Sequence, residues 1–217
     1  TSDTEKRSRR LLTTWNKTKI VELWCEMLDG VDENGKPKDG PWTRLFYRPI
    51  QKAIDDWRWH SGNMKERSNA IIKKFGNLKR WKEPLVAAEL GGYEFASKAE
   101  LLGAILQSGN LSNLTRLLLG MRRADDKSKT WGSVNEDGTL NHDDWVAFID
   151  RITSGDNPIL TKSDFEAVQE LWDLNAEILP YTQRAWRAVF GVPFKQVELE
   201  GFTNRFGEWK GGYWPAK

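Results

Sequence analysis

The sequence predicts an all-α fold: an irregular multi-helix single domain, with room for one short hairpin near the C-terminus. Three observations lead there. Apolar residues recur at intervals of three and four along most of the chain. Gly, Pro and Ser/Thr/Asn caps punctuate those runs at helix-like intervals. Period-two alternation never extends convincingly beyond about four residues, near the shortest run that reads as a strand. A chain of 217 residues is long enough to bury a core, and no internal repeat or low-complexity linker forces a division. Residues 1–14 read as a basic N-terminal arm or the end of a preceding segment. Residues 15–217 read as a single helical domain, expected to be a piece of a larger protein.

Taken in order, Trp15 to Asp29 forms an amphipathic helix whose buried face would be Ile20, Leu23, Trp24, Met27 and Leu28. Gly30 ends it, and Asp32 to Pro37 is an exposed turn. Pro41 opens a second helical stretch with Leu45, Phe46, Ile50, Ile54 and Trp57, kinked or broken near Arg48 because Pro49 has no N–H. Met64 to Leu78 carries Ile71, Ile72, Phe75 and Leu78, and a short helix is expected from Pro84 to Leu90 before Gly91-Gly92. Ser97-Lys98-Ala99-Glu100 is a capping box, followed by a helix to Gln107 that stops at Ser108-Gly109-Asn110. Leu114, Leu117, Leu118 and Met121 mark the next helix. Asn141 and Thr161 each precede an acid three residues on and cap helices bearing Trp145, Phe148, Ile149 and Ile152, and Phe165, Val168, Leu171 and Trp172. Pro180 would open or kink a last helix, Tyr181 to Phe190, ended by Gly191. Phe202, Phe206 and Trp209 around Asn204 and Gly207 suit a short hairpin.

The charges almost cancel, with 33 Lys/Arg against 31 Asp/Glu, but they are segregated. Residues 58–82 hold eight bases and one acid, a balance of +7, whereas residues 135–177 hold eleven acids and two bases, a balance of −9. Such separation serves an anionic partner or lets the two segments attract each other. Arg58, Lys65, Arg67, Lys73, Lys74, Lys79, Arg80 and Lys82, with Trp81 and the neighbouring Trp57, Trp59 and Phe75, form the candidate nucleic-acid surface. There bases would neutralise phosphates and rings would stack on unpaired bases. The plainer reading is a solvated basic helix with its aromatics in the core, and it takes precedence because Ile71, Ile72, Phe75 and Leu78 already need a buried face. Lys6 to Arg10 is read in the same way, as an arm or the tail of a preceding helix.

Catalytic and metal signatures are absent from the sequence. One cysteine, Cys25, excludes a disulfide framework and reads as a packed thiol. Ser133 to Asp144 imitates a calcium loop, with Gly138 at its sixth place, but lacks the first-position Asp and the closing Glu. No phosphate loop, nucleophile elbow or His-Glu-x-x-His run occurs, so neither cofactor nor metal is expected. Thr1 to Arg10 contains no apolar signal, and no stretch approaches 18 apolar residues, so no membrane segment is expected. An enzyme with an unrecognised site would need a deep pocket of convergent polar groups.

Two blocks carry a resemblance. The first, residues 97–120, contains Leu106-Gln107-Ser108-Gly109-Asn110-Leu111-Ser112-Asn113-Leu114-Thr115-Arg116-Leu117. The second joins Gln169-Glu170-Leu171-Trp172-Asp173 to Gly211-Gly212-Tyr213-Trp214-Pro215. In order and spacing they resemble a helical module of the large polyvalent proteins of phages and mobile elements, among them DarB-type antirestriction proteins and giant internal virion proteins. The likeness spans roughly Asn16 to Pro215, with Trp214 in place of the usual second Tyr. It implies a non-enzymatic scaffold module that acts in virion assembly, DNA ejection or protection of incoming DNA from restriction. Its partners would be other domains of the parent polypeptide, virion proteins and DNA. Its location would be the virion interior and then the host cytoplasm. A nucleic-acid-binding module using residues 57–82 is the alternative.

The motif residues also have a physical reading. Asn110 and Asn113 suit the tight connection between two helices, with Arg116 one turn on. Gln169, Trp172 and Asp173 are expected to meet the closing Gly211-Gly212-Tyr213 segment in a buried polar contact, the glycines letting it approach a helix. The 12 Trp read as anchors of a helical core rather than a stacking platform. Trp24, Trp57, Trp145, Trp172 and Trp186 lie in helices, Trp209 and Trp214 in the closing segment, and Trp59 and Trp81 beside the basic run.

Overall fold

The structure, a computed structural model, describes residues 19–35, 38–76, 79–86 and 90–215. The expected arm, residues 1–14, lies outside the described residues, as does Leu78. The protein is mostly helical but not strictly all-α, since two small two-stranded sheets accompany the helices. It forms two compact units, one ending at Glu66 and the other beginning at Arg67.

In the first unit, helix α1 (19–29) ends at Gly30, whose φ of 80° is the left-handed conformation a glycine tolerates. A π-helical turn, Thr43–Tyr47, runs into α2 (Arg48–Lys74). Pro49 sits at the second position of α2, and the turn before it is widened, with Arg48 N–H donating to the Thr43 carbonyl. The kink or break expected near Arg48 is a widened turn instead, with helix continuing on both sides of it. Asp29 caps the stretch from a distance, accepting from Thr43 N at 2.6 Å and Trp42 N at 3.4 Å. Glu22 accepts from the Tyr47 hydroxyl at 3.1 Å. These bonds hold the acidic side of α1, with the buried thiol of Cys25, against the unit. The expected buried face, Ile20, Leu23, Trp24, Met27 and Leu28, is exposed instead, as is Trp57 on α2.

In the second unit, α2 continues to Lys74 and a 3-10 turn follows at Arg80–Lys82. Ile71 is buried and Ile72 exposed, so the expected apolar face of this segment is narrower than its sequence suggested. Residues 84–86 are not helical, contrary to expectation. Helices α3 (Lys98–Ser108) and α4 (Leu111–Gly120) form a hairpin. At its start Ser97 Oγ accepts from Glu100 N at 3.4 Å, and Glu100 reaches back to Ala96 N at 2.6 Å. Strands β1 (Ser133–Val134) and β2 (Leu140–Asn141) pair antiparallel around the Asn135-to-Gly138 turn; this sheet was not expected. Helix α5 (Asp143–Thr153) buries Trp145, Phe148, Ile149 and Ile152 at helical spacing. Tyr93, Phe95, Trp131, Trp145 and Phe148 form an aromatic core with ring centroids 4.2 to 6.2 Å apart.

Helix α6 (Lys162–Phe190) opens with a Thr161–Asp164 capping box and passes through Pro180 without interruption. Ala176 and Pro180 are both exposed, so the carbonyl that loses its partner faces water and the missing bond is tolerated. Gly191, with a φ of 74°, ends the helix as expected. Trp186 is 37% exposed and meets the Phe190 ring in a tilted contact rather than entering the core. Strands β3 (Phe202–Asn204) and β4 (Gly207–Trp209) make the anticipated hairpin.

One charged pair is sealed in this unit. Lys98 Nζ lies 3.3 Å from Asp164 Oδ2, with both side chains 8% exposed, and 4.6 Å above the Trp81 ring. Asp164 also accepts from Thr161 N at 2.8 Å. Removing one member of a buried pair leaves the other uncompensated. Asp164→Asn is expected to lower unfolding stability by about 3 kcal/mol in a urea titration. Adding Lys98→Met should recover part of the loss, because the stranded ammonium is gone.

Candidate functional site

The motif residues of the two blocks converge on one place in the second unit, where the closing segment lies between the α3–α4 connection and α6. Asn110, fully buried, is the N-cap of α4 and accepts from Asn113 N at 3.0 Å. Its amide donates to the Gly212 carbonyl at 3.5 Å, and Asn113 Nδ2 donates to the Trp214 carbonyl at 2.7 Å. Gly212 N donates to the Gly109 carbonyl at 2.7 Å, and Glu200 N to the same oxygen at 3.0 Å. Trp172, 1% exposed, donates from Nε1 to the Leu106 carbonyl at 3.0 Å. A Cβ added at Gly109 or Gly212 would overlap the Trp172 side chain, and Gly211 holds a φ of 74°. These glycines therefore serve close approach.

Gln169 takes part through its Oε1, which accepts from Lys210 N at 2.9 Å, while its Nε2 donates to Asp173 at 2.9 Å. Asp173 is exposed, so its share of the polar contact is not a buried one. Tyr213 contributes its carbonyl, which accepts from Asn175 Nδ2 at 3.1 Å, while its ring is exposed. Arg116 is exposed on α4. Asn175, Gly109 and Glu200 complete the seat. The first lies one turn beyond Trp172, a spacing that marks it as a neighbour, but the other two act through backbone atoms that leave no mark on the sequence.

The basic segment is partly spent inside the protein. Arg67 forms a bidentate pair with Glu177 at 2.6 Å for both bonds, and Lys74 reaches Glu170 at 2.5 and 2.7 Å. Seven residues separate the members on each helix, and the order is reversed, so the basic side of α2 and the acidic side of α6 run antiparallel. Trp81 is 5% exposed, donates to the Phe75 carbonyl at 2.9 Å and lies beneath Lys98. A base has no access to that ring, which corrects its expected stacking role. Lys73, Lys79 and Lys82 are exposed in this unit, and the Arg80 side chain lies outside the described residues. In the first unit Lys65 is exposed, Arg58 sits 3.5 Å from Asp55, and Trp57 and Trp59 are exposed.

Other candidates resolve locally. In the calcium-loop look-alike, Asp137 accepts from the amide and hydroxyl of Thr139 at 2.9 and 2.6 Å, and Asn141 accepts from Asp143 N at 3.1 Å. Among the described residues no three His, Cys, Asp or Glu side chains are grouped to hold a metal, and no helix is long and apolar enough to cross a membrane. An open cleft of about 520 Å³ is lined by Phe95, Trp131, Glu94, Glu100, Arg122 and Lys127. Its charges are engaged, Lys127 with Glu94 at 3.1 Å and Glu100 with Ala96 N.

Two outcomes are expected. Gly212→Ala should destabilise the protein by about 1–3 kcal/mol through overpacking, while Gly103→Ala, with open space around it, should be neutral or stabilising; thermal unfolding of both checks this. The Arg67 guanidinium, by hydrogen bonding, holds the Glu177 carboxyl below its ordinary value. The pair's stabilisation is then present above the unfolded carboxylate pKa and lost as pH falls through the lowered folded one. A carboxyl NMR titration should place Glu177 below an ordinary Glu, and Arg67→Ala should return it to normal. No protein-family model, curated protein or solved structure matches the chain.

Proposed function

We propose that the chain is a non-enzymatic structural module of a large phage or mobile-element protein delivered with DNA, holding adjoining parts of that polypeptide during virion assembly, ejection or protection of incoming DNA. The observation that supports this reading is the use made of the motif residues. Asn110, Asn113, Trp172, Gly211 and Gly212, which carry the resemblance to large polyvalent proteins, are all engaged in seating the chain's own closing segment. Their types and spacing are thus accounted for by closure of the fold, and function is argued from the use a site makes of its residues.

The nucleic-acid reading through residues 57–82 has less support, because Arg67 and Lys74 are paired with acids and Trp81 is covered. Pull-down with the tagged chain separates the two. Recovery of virion components or of segments adjoining it in its reading frame is expected. Failure to bind any of these, together with a DNA mobility shift that weakens with salt and is lost in a Lys73→Glu/Lys79→Glu/Lys82→Glu variant, overturns the module reading in favour of DNA binding.

A further inference from the structure

Helix α6 outruns the core in which it begins. Its last buried residue is Leu174, and the helix continues to Phe190, a further length of about 24 Å. Along that length Ile178, Tyr181, Ala185, Trp186, Val189 and Phe190 fall on one side, at i, i+3, i+7, i+8, i+11 and i+12. All six are exposed, Tyr181 by 54%, Phe190 by 58% and Val189 by 74%. By the same periodicity Arg184 and Arg187 belong to the opposite side, and Lys195 follows the helix. Among the described residues none of these three cations is paired with an acid; Arg184 lies over the Tyr181 ring, 5.8 Å from its centroid. This end of the helix is pinned. Gln183 Nε2 donates to the Phe194 carbonyl at 2.6 Å and Gln183 Oε1 accepts from Phe194 N at 2.8 Å, which folds the chain after Gly191 back along the helix. Trp186 meets both Phe190 and Phe194, at centroid distances of 4.2 and 5.4 Å. Val192, in the turn between those two rings, is 56% exposed.

We infer that this end of α6 is an interfacial anchor, which lays its apolar side into the headgroup region of an anionic lipid bilayer while Arg184, Arg187 and Lys195 meet the negative headgroups. Charge and residue type select that partner. Residues 178–197 hold three Lys/Arg and no Asp/Glu, although 31 of the 217 residues of the chain are acidic. A helix with aromatic and aliphatic side chains on one face and bases on the other lies in the plane of a membrane surface. Tyr and Trp are the residues that settle at headgroup level, and each base near an anionic leaflet adds to the attraction. A second copy of the same end would bring like charges together. A nucleic acid would find three cations where a typical contact uses about 6–10, and the Trp186 ring is already engaged by Phe190 and Phe194. The anchor lies on a membrane; no described helix is long and apolar enough to cross one.

The test is flotation of the chain with vesicles of equimolar phosphatidylcholine and phosphatidylglycerol, against phosphatidylcholine alone. The chain is expected to float with the anionic vesicles and not with the neutral ones. Arg184→Gln/Arg187→Gln should weaken that binding by about 10–30-fold, the contribution of two bases near a charged surface. Val189→Asp/Val192→Asp, at exposed positions outside the Trp186 ring cluster, should abolish it, with circular dichroism unchanged in both variants. Lys38→Gln/Lys52→Gln removes the same charge from exposed positions elsewhere and should bind as wild type does. A wild-type chain that stays off anionic vesicles, or floats equally with neutral ones, overturns the anchor. So does flotation that the Val189→Asp/Val192→Asp chain retains, or an equal weakening in the Lys38→Gln/Lys52→Gln chain, because net charge alone would then account for the binding. A dimer or a DNA complex that the α6 variants lose, formed by a wild-type chain that ignores vesicles, gives the face to a second copy or to nucleic acid instead.

Discussion

The second unit is organised around the indole of Trp172. An indole N–H buried away from water needs an acceptor, and the Leu106 carbonyl in the last turn of α3 has no partner within its own helix. Their hydrogen bond satisfies both and fixes α6 against the end of α3. The ring then fills the space in front of Gly109 and Gly212, so the connection after α3 and the closing segment must both be glycine where they pass it. Once Gly212 is pressed there, its amide meets the Gly109 carbonyl, and Asn110, Asn113 and Asn175 find the carbonyls of Gly212, Trp214 and Tyr213. Residues more than a hundred positions apart are joined in this way by backbone groups that would otherwise be buried unpaired.

Charge follows a similar logic. Two segments of opposite sign meet along α2 and α6 in matched pairs seven residues apart, Arg67 with Glu177 and Lys74 with Glu170. Exposed pairs of this kind contribute little to stability individually, but they lower the cationic character that would draw a polyanion to residues 67–82. The Lys98–Asp164 pair is different. Covered by Trp81 and held by the α6 capping box, it links the starts of α3 and α6 in a setting where neither charge can be left alone.

The helices α1 and α5 share a periodic apolar pattern and have opposite fates. In α5, Trp145, Phe148 and Ile149 join a ring cluster supplied by Tyr93, Phe95 and Trp131. In α1, two carboxylates find donors in the following helical stretch, and the apolar stripe is left outside. The tryptophans divide accordingly. Trp131, Trp145, Trp172 and Trp209 anchor the core, whereas Trp24, Trp57 and Trp59 stand in water.

Much of the secondary structure was legible in the residues alone, because its signals are local. The caps at Ser97, Asn110 and Thr161, the stop at Gly191 and the hairpin around Asn204 and Gly207 rest on hydrogen bonds and backbone angles within a few positions. The same holds for the motif residues of the closing seat, whose types already pointed to capping and close approach. The direction in which α1 turns its stripe, the burial of Trp81 and the continuity of α6 through Pro180 were not legible. Nor were the small β1–β2 sheet and the seat's backbone acceptors. The sheet is a local hairpin whose strands of two residues are too short to show a period; each of the others depends on a donor, an acceptor or a covering surface contributed from farther along the chain or from the solvent. Periodicity reports that a helix has an apolar face, but what lies against that face is set by which distant polar groups are satisfied first.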